Sequence, residues 1–291
     1  MALARPLDWH FHPFWSVAIA VLVAAYIWAT RAPDRRPTRR QAGCFALAMV
    51  VLWAAVTWPL GDLAVRWSLM ALVLQRLLLT LAVPPLLAAG TPRPLIDRLT
   101  RPAAVDAVLR LAVKPMLAVI VVTVVAVGTL TVGAVNLAAH SVLARTGIEL
   151  LVLGSGLFLW APVLSGLPGA ARLSSLARGG YLIVQSIVPS FLSVVWIFAR
   201  HSFYPPYDHH ARFAGMTPLL DQQLAGFLAK LSTIAVLWTV AYVVMSRGQV
   251  LSGAEEDGAA EPLLWSDVER EIERANRRER RQGWREWRAP G

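Results

Sequence analysis

The sequence predicts an all-α integral membrane protein of seven spans, with its N-terminus outside and its C-terminus in the cytoplasm. Three observations carry that reading. Of 291 residues, 56% are hydrophobic and only 16% charged, with a mean hydropathy of +0.53, more apolar surface than a soluble domain of this length needs. Seven stretches reach the roughly 18 to 25 apolar residues that cross a bilayer as helix, and none alternates as a barrel strand would. The cations sit overwhelmingly on one side of the resulting model.

The spans fall near 13–30, 41–60, 67–89, 114–138, 147–166, 180–199 and 222–245. The first is no cleaved signal, because its basic flank "RAPDRRPTRR" follows the apolar run instead of preceding it. That flank holds the downstream end inside, which makes 31–40, 90–113, 167–179 and 246–291 cytoplasmic. Arg31, Arg35, Arg36, Arg39, Arg40, Arg93, Arg98, Arg101, Arg110, Lys114, Arg172, Arg178 and nine tail arginines then lie on the inner side. Only Arg5, Arg66, Arg145, Arg200 and Arg212 lie outside, and Arg76 and Lys230 fall within spans.

The net charge of +10 is therefore topology and attraction to anionic lipid heads, not a nucleic-acid footprint. The single cysteine, Cys44, excludes an intramolecular disulfide and any paired-cysteine motif, and reads as packing. Residues 1–250 form one membrane domain and 251–291 a charged cytoplasmic tail. Leu264, Trp265, Val268, Ile272 and Ala275 recur there at helical spacing, as in a solvated or membrane-skimming helix.

All six histidines face the outside in this topology. His10 and His12 precede span 1, His140 lies between spans 4 and 5, and His201, His209 and His210 lie between spans 6 and 7. Imidazole is a copper ligand, so His201, His209, His210, His10 and His12 are the candidate metal set, weighed against ordinary loop histidines. Within the membrane, Gln75 and Arg76 stand about nine residues into span 3, near mid-bilayer. A guanidinium there costs several kcal/mol unless paired or hydrated, so it should face the bundle interior. Glu149 and Asp221 are its candidate partners, with Lys230 two turns below Asp221. Either an ion pair locks the helices or a polar cavity forms. Asp221, Gln222 and Gln223 are expected to cap the start of span 7. Pro84, Pro85, Pro162 and Pro189 each remove a backbone donor inside a span.

Four blocks in order over about 55–250 then carry a resemblance: "TWPLGDLA", "LQRLLLTLAVPPLLAAGTP", "LFLWAPVLSG" and "YPPY" followed by "MTPLLDQQLAG". The chain resembles the bacterial CtaG-type cytochrome c oxidase assembly proteins found with caa-type oxidases. The resemblance implies a seven-span protein of the bacterial cell membrane that matures a heme-copper oxidase. It also implies oxidase subunits as partners and copper supply at the outer face, without enzymatic turnover. One departure accompanies it. The span-3 pattern implied by the resemblance, His-x-x-Gln-His, reads Leu72-Val73-Leu74-Gln75-Arg76 here, and the expected Glu-His of span 5 reads Glu149-Leu150. Two other classes stand beside this reading. One is a transporter or channel for a small cation or metabolite, lined by Arg76, Glu149, Asp221 and Lys230. The other, a membrane metalloenzyme, lacks a nucleophile motif or paired acid and base, so no catalytic residue is assigned.

Overall fold

The computed structural model describes residues 11–164, 173–187, 190–208 and 215–259, together with Glu269 and Glu273. His10, Pro189, His209, His210 and the helical repeat of the tail lie outside the described residues. The chain divides into two compact units, Met1–Met245 and Ser246–Gly291.

Every regular element among the described residues is helical. In chain order they are α1 (Pro13–Ala29), α2 (Arg39–Val56), α3 (Leu60–Arg66), α4 (Leu69–Leu77), a π-turn (Leu78–Ala82), α5 (Val83–Gly90), α6 (Arg93–Leu99), α7 (Ala103–Ala112), α8 (Pro115–Thr129), α9 (Val132–His140), α10 (Val142–Trp160), α11 (Ser175–Ile187), α12 (Ser190–Ile197), α13 (Pro205–Asp208) and α14 (Pro218–Ala259). Five segments are long and apolar enough to cross a membrane, and a sixth if α7 and α8, bent by 91° between them, count as one. α1 is a shorter apolar helix of 17 residues.

Local sequence explains the starts. Thr38 accepts from the Gln41 amide at 3.2 Å while Gln41 Oε1 accepts from the Thr38 amide at 2.9 Å, a reciprocal cap on α2. Ser68, Thr131 and Ser141 cap α4, α9 and α10 in the simpler way. Proline occupies the first turn of α1 and α8, where a missing N–H costs nothing.

The breaks are more informative, because a carbonyl without a donor is expensive where water is absent. Pro84 cannot donate to the Thr80 carbonyl four residues earlier, and the helix widens into the π-turn there. The Trp160 indole N–H on α10 donates to that carbonyl at 3.0 Å. Pro59 likewise frees the Ala55 carbonyl, and Gln75 Nε2 donates to it at 3.0 Å. Tyrosine hydroxyls serve the helix ends: Tyr26 on Gly90 at 2.8 Å, Tyr181 on Leu159 at 2.9 Å, Tyr204 on Leu130 at 2.6 Å and Tyr207 on Ala64 at 2.8 Å.

Close packing holds these donors in register. α2 lies along α5, with the Tyr26 and Phe45 rings stacked at 3.7 Å over Gly90. On α10, a Cβ at Gly156 would stand 2.8 Å from Pro84 Cγ and 2.9 Å from Thr80 Cα, so only glycine lets α10 reach the π-turn. Gly156→Val is therefore expected to destabilise the protein by about 1–3 kcal/mol, read as a lowered unfolding midpoint in detergent. Gly154→Val, on the same helix with open space around its Cβ, should leave the midpoint almost unchanged.

Candidate functional site

The polar residues singled out by sequence resolve into three clusters and one exception. The first cluster is the Asp-Gln-Gln triplet. α14 begins at Pro218, earlier than the predicted 222, and Thr217 Oγ1 accepts from the Leu220 amide at 3.2 Å as its cap. Asp221 is thereby one turn inside the helix and caps a different one. Its carboxylate accepts from Ser68 Oγ at 2.6 Å and from the Leu69 and Met70 amides at 2.5 and 3.4 Å, at the start of α4. Gln222 accepts from the Phe203 amide at 2.9 Å and donates to the His201 carbonyl at 3.3 Å, while Gln223 donates to the Ala199 carbonyl at 3.2 Å. The expected capping of span 7 by these three residues is thus corrected: the triplet ties α14 to α4 and to the 199–203 segment.

Tyr204 and Tyr207, just beyond that segment, complete the clamp by reaching α8 and α3. Burial pushes the Tyr204 phenol up to about 12 and raises that of Tyr207 as well. Both hydroxyls are therefore protonated donors at physiological pH.

The second cluster is centred on Glu149. Its carboxylate accepts from Trp15 Nε1 at 2.6 Å and from Gln75 Nε2 at 3.0 Å, so α10, α1 and α4 meet on one buried group. Gln75 spends its other N–H on Ala55, as described.

The third cluster was only half legible. His12 Nε2 lies 2.9 Å from Asp62 Oδ1, and Arg145 Nη2 donates to His12 Nδ1 at 3.1 Å. Nδ1 accepts and Nε2 carries the proton in that arrangement. Both ring nitrogens are engaged, so His12 serves here as a bridge between α3 and α10, not as a ligand with a nitrogen to spare. His201 is exposed, with its ring edge-on to Phe203 at 4.9 Å. Among the described residues no three His, Cys, Asp or Glu side chains form a metal-ligand group.

Arg76 is the exception. It is 8% exposed and faces the interior as its position required. Neither Glu149 nor Asp221 forms an ion pair with it, since both carboxylates are spent elsewhere. Nε and Nη1 meet no hydrogen-bond partner among the described residues. Arg76 instead lines a cavity of about 120 Å³ between α4, α8, α10, α12 and α14, and borders a second space of about 20 Å³ shared with Glu149, Arg145 and Tyr207. Lys230 is half-buried and lines neither. Arg76, Glu149, Asp221 and Lys230 therefore do not converge on one path.

Sequence reasoning missed Gln185, Trp15, Asp62 and Ser68. A glutamine inside span 6 was a usable signal for the first, by the same argument applied to Arg76. The others become visible only through pairings fifty or more positions apart along the chain.

Asp221→Ala should strand the Ser68 hydroxyl and the Leu69 amide, at about 1–3 kcal/mol for each buried group. Thr217→Ala should remove only an exposed cap, at about 1 kcal/mol. Thermal unfolding in detergent is expected to rank Asp221→Ala as clearly the more damaging of the two.

A family model described as "Cytochrome c oxidase caa3 assembly factor" matches residues 24–248. No curated protein and no solved structure matches the chain. The family match takes in all four sequence blocks, the Asp221 clamp, and Glu149 and Gln75 though not Trp15, and the chain belongs to the cytochrome c oxidase caa3 assembly factor family.

Proposed function

We propose that the protein matures a heme-copper oxidase in the bacterial cytoplasmic membrane by direct contact with oxidase subunits at its outer face, without turning over a substrate. The observation that carries this is family membership over residues 24–248. Supporting it, the end of the bundle built from α3, the 199–208 segment and the start of α14 is held by side-chain bonds to backbone at Asp221, Gln222, Gln223, Tyr204 and Tyr207. A surface fixed in this way is preorganised for a partner and loses little entropy on docking.

The proposal includes seven spans, with α1 and α8 among them, an outer N-terminus and a cytoplasmic tail beyond residue 250. α6 and α7 support the orientation. They expose Leu99, Val105, Val108 and Leu111 beside Arg98, Arg101 and Arg110, the pattern of helices lying on an anionic membrane surface. α7 also turns by 91° from α8. In the proposed orientation the basic side is in the cytoplasm and the Asp221 clamp is outside.

Copper is the proposed cargo, held transiently by the loop that carries His201, His209 and His210, with His10 assigned to the same outer side by the proposed topology. His12 is left out of this set because its nitrogens are occupied. The intramembrane histidines implied by the resemblance are absent, so any copper must be held by the loop.

The test is deletion of the gene and complementation in its host. Loss of assembled oxidase, restored by the wild type and not by Asp221→Ala expressed at equal level, is the expected outcome. Normal oxidase after deletion would contradict the assembly role. A Cu(I) competition titration of the purified protein beside the His201→Ala, His209→Ala, His210→Ala triple variant tests the cargo. Stoichiometric copper lost in the variant is expected, and no binding by the wild type would limit the role to contact.

A further inference from the structure

Among the described residues most polar groups of the bundle interior meet a defined partner; Arg76, Gln185 and the Thr123 hydroxyl keep buried atoms without one, and the first two share a cavity. Gln75, Trp160, Tyr181, Glu149 and Asp221 each meet a defined partner. Arg76 Nε and Nη1, and both Gln185 Nε2 and Oε1, have no hydrogen-bond partner among the described residues. Gln185 is 1% exposed and Arg76 8%. Both line the same cavity of about 120 Å³.

A buried cation and a buried amide left unpaired are costly, and each such group calls for a partner. The cavity states what that partner is. It holds one guanidinium and no second charged side chain, which matches a single negative charge. The Gln185 amide adds a further donor for an oxygen of the same group. The rest of the wall is largely apolar, including Leu77, Val122, Leu159 and Trp196. Its volume is that of about four water molecules, room for a carboxylate and its first methylenes but not for a phospholipid head. One lining residue, Val127, is 40% exposed near the end of α8, so part of the cavity wall is a helix that also faces the bundle's surroundings.

We propose that this cavity is a binding site for a lipid-soluble monocarboxylate, such as a fatty acid. Its head is bound by Arg76 and Gln185, and its chain leaves between α8 and α12 toward the bilayer. The cavity shares Trp196 with the packing behind Tyr204, but its ligand is read by binding alone and not by oxidase assembly, so it stands or falls apart from the assembly role.

Trp196 lines the cavity and is 1% exposed, which provides a local reporter. Purified full-length protein in detergent at pH about 8, where a carboxylate is ionised, is titrated with bromohexanoate and separately with bromohexanol. The bromine quenches indole fluorescence on contact, and the difference between wild type and Trp196→Phe isolates the signal from Trp196. Saturable quenching by the acid is expected, with an apparent Kd about tenfold or more below that of the alcohol. Arg76→Met should abolish this preference and Arg76→Lys should retain part of it. Gln185→Leu should weaken the acid severalfold and keep the preference. Arg76 also lies near the Glu149 carboxylate, so the unfolding midpoint of Arg76→Met without ligand is measured beside wild type, and the charge-retaining Arg76→Lys separates loss of binding from loss of fold. Equal quenching by acid and alcohol, no saturable quenching, or an unchanged preference in Arg76→Met would each overturn the proposal.

Discussion

The structure depends on one constraint: a backbone carbonyl or amide released inside a membrane bundle must be paired within the protein. Water is not there to take it, and an unmet group costs several kcal/mol at about mid-bilayer. This chain releases such groups often, because prolines interrupt its helices and many of them are short. Pro59 and Pro84 free the Ala55 and Thr80 carbonyls, and α3, α5, α8 and α10 end within the bundle. Six of these freed carbonyls are met by a side chain from a distant element. Gln75, Trp160, Tyr26, Tyr181, Tyr204 and Tyr207 all serve in this way.

These pairings also make the bundle one object. A donor at residue 160 that serves a carbonyl at residue 80 fixes the rotation and depth of both helices, and the glycine at 156 sets the separation at which that bond forms. The Asp221 carboxylate does the same between α14 and α4, at the end that carries the triplet. The polar stretch at the mouth of span 7 is thus first a structural clamp. Its value to an assembly factor is the fixed surface it creates. The interior becomes readable by subtraction, since residues already used for backbone pairing need no further explanation. Arg76 and Gln185, on one cavity, are the larger groups that subtraction leaves among the described residues, beside the Thr123 hydroxyl.

Much of the architecture was legible in the sequence because it follows from composition and local pattern. Apolar run lengths locate α2, α4–α5, α10 and α11–α12 to within six residues and the start of α14 to within four, although α14 runs on to Ala259, well past the expected 245; a buried guanidinium had to face inward. The four sequence blocks that carry the family resemblance all fall within the matched residues 24–248. What was not legible depends on contacts far apart in the chain. Asp221 reads as a cap from its place near a helix start, and it is one, but for α4 rather than α14, because Thr217 begins α14 a turn earlier. His12 reads as a possible ligand, yet Asp62 and Arg145 occupy its two nitrogens. No local pattern announces that Trp160 would stand in for the N–H that Pro84 lacks.

The most direct test of this account is a double-mutant cycle on Trp160 and Pro84. Trp160→Phe removes the donor to the Thr80 carbonyl, whereas Pro84→Ala restores a backbone N–H able to reach it. If satisfying that carbonyl is the purpose of the indole, Trp160→Phe should be markedly less harmful in the Pro84→Ala background, with a coupling of about 1 kcal/mol in unfolding free energy. Effects that add to within about 0.3–0.5 kcal/mol would mean the indole is held for its packing alone, and the constraint placed at the centre of this structure would not be what orders it.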